Sequence, residues 1–165
     1  MFTAGILTIS DKGSREERQD KSGQAIHEIL SRMDVRIVNY DIIPDDKELI
    51  VEKLVKWADE GDLDVVVTTG GTGLTSRDVT PEATLAVVDR IVPGFAEAMR
   101  AESLKKTPMA MLSRAVVGTR GQCLIINLPG SPNAVRECLQ VIVPVLPHAV
   151  ETIKDQAGEC GTAET

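Results

Sequence analysis

The run Leu63-Asp64-Val65-Val66-Val67-Thr68-Thr69, closed by Gly61-Asp62 before it and Gly70-Gly71 after it, narrows the fold more than any other feature of the chain. So dense a series of β-branched residues suits a central strand covered on both faces. Such a strand needs helices above and below it, and the flanking sequence supplies them in alternation. Gly5-Ile6-Leu7-Thr8-Ile9-Ser10 reads as an earlier buried strand that runs into a polar loop at Asp11-Lys12-Gly13-Ser14. Ala25, Ile26, Ile29, Leu30 and Met33 recur at helical spacing and predict an amphipathic helix over residues 21–33. Residues 35–43 resume strand character and stop at Pro44, after which Ile50, Leu54, Trp57 and Ala58 mark a second helix. Thr80-Pro81-Glu82 carries the N-cap, proline and acidic first turn of a helix running to residue 89, and Pro93-Gly94 precedes another through Phe95, Met99 and Leu104. Residues 115–119 and 123–127 read as two strands of a hairpin around Arg120-Gly121-Gln122.

Leu128-Pro129-Gly130-Ser131-Pro132 then repeats the order of strand, glycine loop and capped helix, with Ser131 as N-cap and Pro132 at the first helical position. Helix continues through Val135, Leu139 and Ile142 to Ile153, broken at Pro144 and Pro147. The expected class is α/β, a three-layer α/β/α arrangement with a mostly parallel sheet and an antiparallel hairpin. It forms one domain over residues 1–155, and residues 156–165, which lack periodicity, are expected to be a flexible tail.

Composition removes several function classes. The 165 residues include 18 Lys plus Arg against 25 Asp plus Glu, a net charge of −7, which opposes the cationic face that phosphate-backbone binding needs. One Trp, one Tyr and two Phe leave little for base stacking, so no nucleic-acid partner is expected. No apolar run approaches the roughly 20 residues of a bilayer span. Met1 leads straight into Phe2-Thr3-Ala4-Gly5-Ile6 without a basic segment, and the expectation is a cytoplasmic protein with no membrane partner. Cys123, Cys138 and Cys160 are odd in number without CxxC spacing, and His27 and His148 lie far apart. Neither a disulfide framework nor a structural zinc site is expected.

The unusual residues lie where an open α/β sheet binds ligands, in the loops after the carboxyl ends of strands. Thr69-Gly70-Gly71-Thr72-Gly73 either brings backbone N–H groups close to phosphate oxygens or is a tight turn without a ligand. It is not a Walker A loop, since no Gly-Lys-Ser or Gly-Lys-Thr follows, nor a dinucleotide fingerprint. Asp78, five residues after Gly73, either holds a divalent cation or takes a proton, or complements a helix N-terminus. Asp45 and Asp11 carry the same ambiguity, N-capping being the commoner fate of an aspartate at the position of Asp45. Gly130-Ser131-Pro132 offers a hydroxyl and N–H groups to an anion, or is a plain helix start. Glu16-Glu17-Arg18 reads as a solvated loop. Arg77, Arg114 and Arg120 lie near candidate loops, where a guanidinium clamps phosphate or is an ordinary surface charge.

Taken together, Ile9-Ser10-Asp11, Ile43-Pro44-Asp45, the glycine loop, Arg77-Asp78-Val79-Thr80-Pro81-Glu82-Ala83-Thr84, Leu112-Ser113-Arg114 and Leu128-Pro129-Gly130-Ser131-Pro132 resemble the molybdenum-cofactor biosynthesis family of Mog-type adenylyltransferases and MoaB proteins, also found fused in gephyrin. Arg77 before Asp78 resembles the Mog-type branch. Asp46 after Pro44-Asp45 departs from the glutamate common there. The resemblance implies transfer of AMP from ATP onto the terminal phosphate of molybdopterin, with Mg2+ or another divalent cation. It implies catalytic or metal-holding roles for Asp45 and Asp78, and substrate contacts from Ser10, Asp11, Gly70, Gly71, Thr72, Gly73, Arg77, Ser113, Gly130, Ser131 and Pro132. It also implies a homotrimer and a partner protein for molybdate insertion. Residues 93–112, with Met99, Met109 and Met111, would supply apolar surface for the trimer contact. The alternative is a MoaB-like molybdopterin-binding or scaffold protein without turnover.

Overall fold

The computed structural model describes residues 1–155; the expected tail lies outside them. Six strands form one sheet in the order β2-β1-β3-β6-β5-β4. β1 (Phe2–Ile9), β2 (Val35–Ile43), β3 (Val65–Thr69) and β6 (Cys123–Leu128) pair in parallel, with β3 between β1 and β6. β5 (Val117–Arg120) runs antiparallel to β6, which realises the expected hairpin, and β4 (Arg90–Ile91) adds a two-residue edge.

Side chains alternate across the central strands and build a core on each face. Val65, Val67, Leu124 and Ile126 meet α2 (Lys21–Leu30), α5 (Pro93–Leu104), α6 (Pro132–Ile142) and α7 (Leu146–Ile153). Val66, Cys123 and Ile125 meet α3 (Lys47–Asp59) and α4 (Thr80–Val87) on the other side. This is the three-layer arrangement that the sequence leads one to expect, and aliphatic side chains dominate it.

Several local expectations are corrected. The polar stretch after β1 contains a short helical turn, α1 (Asp11–Ser14), whose N-cap Ser10 accepts from the Gly13 N–H at 3.0 Å. The helix expected over residues 21–33 ends at Leu30. The helix expected to reach residue 89 stops at Val87, because Val88 is extended and Asp89 donates its N–H to the Thr119 carbonyl at 2.7 Å. A 3-10 turn, Pro108–Leu112, has no periodic signal in the sequence. Met99 is buried and supplies no outer surface for a contact between copies. No helix among the described residues is long and apolar enough to cross a membrane.

One buried polar side chain holds the layers in register near the carboxyl end of the sheet. Asn127 is fully buried on β6; its amide donates to Thr68 Oγ1 on β3 at 3.0 Å and to Thr84 Oγ1 on α4 at 2.9 Å, while its oxygen accepts from the Val116 N–H at 3.2 Å. Removing one member leaves the others desolvated and unpaired. Asn127→Ala should therefore lower the unfolding free energy by about 3 kcal/mol in urea titration. A loss below about 1 kcal/mol would show that the partners find other acceptors and donors.

Candidate functional site

Because β1, β3 and β6 are parallel neighbours, their carboxyl ends deliver three loops to one edge of the sheet: Ser10-Asp11, Gly70 to Gly73, and Pro129 to Pro132. The end of β2 adds Asp45 beside them. The glycine loop bends sharply here, with Gly70 at φ +97° and Gly71 at φ +65°. A Cβ on Gly70 would collide with the Ile9 carbonyl oxygen, and one on Gly71 would collide with Thr80 Oγ1 and come within 3.1 Å of Asp45 Oδ1. The loop thus requires glycine both for its backbone angles and for its close approach to neighbours.

Two cavities open on this loop. The larger, about 480 Å³, is mostly apolar and is lined by Met99 and Cys138 from the helices, Met109 and Leu112 from the 3-10 turn, and Ser113. The smaller, about 210 Å³, is polar and takes in Ser10, Arg18, Asp20, Lys21 and Asp45. Gly71, Asp78 and Gly130 line both, so these three form a shared wall. Of the other expected residues, Thr72, Gly73, Ser113 and Ser131 face the apolar cavity, and Gly70 and Pro132 face the polar one.

Asp11 and Arg77 line neither cavity; they bind each other. The Arg77 guanidinium donates to both Asp11 carboxylate oxygens, at 3.0 and 2.8 Å, and holds the Asp11 carboxyl below the usual carboxylate range. Asp11 and Asp45 exchange hydrogen bonds: the Asp45 N–H donates to Asp11 Oδ1 at 3.0 Å and the Asp11 N–H to Asp45 Oδ2 at 2.9 Å. Asp45 is therefore not the N-cap of α3. That role falls to Asp46, which accepts from the Leu49 N–H at 3.1 Å.

Asp78 does not cap α4, whose N-cap position is Val79 without a side-chain bond. Its Oδ2 accepts from Thr75 N–H at 2.9 Å and Thr75 Oγ1 at 2.8 Å. Thr80, expected as a cap, is the first helical residue and donates its hydroxyl to the Gly70 carbonyl. Ser131 occupies the N-cap position of α6 but makes no side-chain capping bond. Asp45 and Asp78 each keep an Oδ1 that accepts from no donor among the described residues. Burial first, and then the charges of Asp11 and Asp78, push the Asp45 carboxyl above the ordinary carboxylate range.

Asp20, Tyr40 and Thr8 are not singled out by the sequence motifs. Asp20 caps α2 through the Gly23 N–H at 2.9 Å and accepts from Thr8 Oγ1 at 2.6 Å and from the Tyr40 hydroxyl. A signal exists for Asp20, since the Asp20-Lys21-Ser22-Gly23 stretch is a helix start after the first strand. Arg18, read as part of a solvated loop, also reaches the polar cavity.

The chain matches the family described as "Probable molybdopterin binding domain" over residues 5–148. It belongs to that family. A molybdopterin adenylyltransferase of Helicobacter pylori strain J99 is 47% identical over 151 residues, covering 90% of this chain and 86% of that protein. Molybdenum cofactor biosynthesis protein B of Bacillus cereus is 44% identical, covering 87% and 85%. The crystal structure of the molybdopterin biosynthesis enzyme MoaB from Thermus thermophilus superposes with a TM-score of 0.89 at 52% identity, covering 94% of this chain and 98% of that one. The motifs that carried the resemblance to molybdenum-cofactor proteins all fall inside the matched residues of this molybdopterin-binding family.

The raised titration of Asp45 has a measurable consequence. The folded chain holds this proton more tightly than the unfolded chain, so stability falls as pH rises from the ordinary carboxylate range through the raised value. Asp45→Asn removes the charge while its amide oxygen can still accept from the Asp11 N–H. The variant should melt at a higher temperature than the wild type at neutral pH, with the gain vanishing below about pH 4. A lower melting temperature at neutral pH would mean that the charge stabilises the fold.

Proposed function

We propose that this protein is a molybdopterin adenylyltransferase, which transfers AMP from ATP to the terminal phosphate of molybdopterin during molybdenum-cofactor biosynthesis. In that reaction a molybdopterin phosphate oxygen attacks the α-phosphorus of ATP, the new P–O bond forms, the bond to the bridging α–β oxygen breaks, and pyrophosphate leaves. The observation that carries the reading is the shared wall of the two cavities, where Asp78 stands between the glycine loop and Gly130. A transfer between two phosphate-bearing molecules needs two adjoining spaces with the reacting groups meeting at their boundary. The relatives named molybdopterin adenylyltransferase support the same activity.

Each part of the wall has a role in this reading. The N–H groups of the glycine loop and of the first turn of α6 donate to phosphate oxygens, and they strengthen as charge builds in the transition state. Asp45 and Asp78, each with a spare Oδ1, would hold a divalent cation. Among the described residues no group of three or more His, Cys, Asp or Glu is placed to hold a metal, so two carboxylate oxygens would be completed by substrate phosphates and water, as suits Mg2+. When bound, that cation supplies charge neutralisation at the α-phosphate. Ser10, Ser113 and Ser131 offer hydroxyls along the cavity walls, and Arg77 would have to leave Asp11 to meet a phosphate.

Incubating the purified protein with ATP, Mg2+ and molybdopterin should yield adenylylated molybdopterin, and EDTA should abolish its formation while leaving the thermal unfolding transition in place. Asp78→Asn should lower the single-turnover rate by about 10²-fold or more with molybdopterin affinity retained. Molybdopterin binding without any AMP transfer by the wild type would favour the carrier reading instead. A normal rate in Asp78→Asn would remove that residue from the chemistry.

The reading includes a cytoplasmic homotrimer that hands its product to a molybdate-insertion partner. Support for assembly comes from Leu104, Met109, Met111 and Leu112, which expose apolar surface around the 3-10 turn. Light scattering at micromolar concentration should return three chain masses; a single chain mass would contradict the trimer.

A further inference from the structure

The side chain of Arg114, between the 3-10 turn and β5, is turned onto the back of the glycine loop. Its Nε donates to the Gly73 carbonyl at 2.7 Å and a terminal nitrogen donates to the Asp78 carbonyl at 2.7 Å. The other terminal nitrogen is paired with Glu82 in the first turn of α4. The Arg114 backbone N–H also donates to the Thr72 carbonyl at 2.9 Å. Thr80 takes the two preceding carbonyls, Gly70 through its hydroxyl at 2.9 Å and Gly71 through its N–H at 3.1 Å. Neither Arg114 nor Thr80 lines either cavity.

Four successive carbonyls, from Gly70 to Gly73, are thus tied down on the side away from the cavities. In a trans peptide the N–H points opposite to the carbonyl of the preceding residue, so the N–H groups of Gly71, Thr72, Gly73 and Leu74 are turned the other way. None of the four donates to a protein acceptor among the described residues. A run of such N–H groups makes an anion-binding concavity. The guanidinium contributes what a single donor cannot: it fixes both ends of the segment from Gly73 to Asp78, and so sets where the Asp78 carboxylate stands on the shared wall.

We infer that Arg114, oriented by Glu82, is a positioning residue that presents the glycine-loop N–H groups and Asp78 to the reacting phosphates. Its kinetic consequence rests on the adenylyl-transfer reading; its effect on the loop does not. Lysine at this position keeps the charge but cannot reach three acceptors at once in a planar fork.

The test compares wild type, Arg114→Lys, Glu82→Gln, Asp78→Asn and the Arg114→Lys/Asp78→Asn pair. Hydrogen exchange should be at least tenfold faster at the Thr75 and Asp78 amides in Arg114→Lys, with the β3 and β6 amides unchanged, and Glu82→Gln should move the same amides by less. The kcat for AMP transfer should fall at least tenfold in Arg114→Lys while the KM for molybdopterin changes less than threefold, and the substitution should cost less once Asp78 is already Asn, since only the part carried by the N–H groups remains. Unchanged loop exchange overturns the inference, as do fast exchange with normal kcat or fully multiplicative effects in the pair. Should Arg114→Lys fail to fold, Glu82→Gln carries the same comparisons. If the wild type itself transfers no AMP, the activity reading fails separately, and the inference is then decided by calorimetry with ATP: at least tenfold weaker binding by Arg114→Lys upholds it and equal binding overturns it.

Discussion

Burying β3 on both faces is the constraint from which the rest of this molecule follows. A strand with no wet face needs neighbours on both edges and helices packed on either side, and its polar backbone can reach water only at its ends. Near its carboxyl end the sheet buries threonines beside the aliphatic residues Ile9 and Leu128. Thr8, Thr68 and Thr69 donate or accept there, Thr69 Oγ1 donating to the Pro129 carbonyl at 2.7 Å and Thr68 bonding to Asn127. The same edge that satisfies the sheet's last polar groups therefore carries the cavities. The binding loops grow out of a physical necessity of the fold, since a chain leaving such a strand has to turn at once, and Gly70 and Gly71 make that turn.

How an acidic chain handles anionic substrates is answered by local geometry. Arg77 is bound to Asp11, Arg114 to Glu82, and Arg120 to Asp59, so three cations near the loops are largely neutralised by acids of the same molecule. Arg18 and Lys21 remain at the polar cavity without an ion pair among the described residues. Much of the attraction for phosphate in the proposed reaction then comes from backbone N–H groups, whose positions do not depend on net charge. Short-range dipoles act only on a group already docked, which favours discrimination over capture from a distance.

What the residues disclose by themselves divides along the range of the forces involved. The bounds of β2 and the end of β3 are legible because runs of β-branched residues end at proline or glycine, whereas β3 begins at Val65 rather than at Leu63. The two acids Asp45 and Asp46 cannot be told apart locally, as either satisfies the pattern of a helix cap; the distant Asp11 decides between them by taking Asp45 for itself. β4 and the 3-10 turn are too short to have a period, and β4 exists through its pairing with β5. The glycine loop and its aspartate stand out in the chain, yet the partners of Asp20 lie 12 and 20 residues away, at Thr8 and Tyr40, and no spacing rule reaches that far. Arg114 is visible as a cation near a loop, but the direction of its side chain belongs to the folded state.

Two cavities with a common wall also bear on what happens after bond formation. In the proposed reaction each substrate would occupy one space, held there by separate contacts. A product joined across the wall would fill both spaces at once, so that either half, on coming loose, would be kept close to its own cavity by the half still bound. The tethered half rebinds at a high effective concentration, and the joined molecule dwells longer than either of its precursors. In the proposed reaction the adenylylated pterin would be sheltered inside the protein that made it, and turnover would wait on its departure rather than on phosphoryl chemistry.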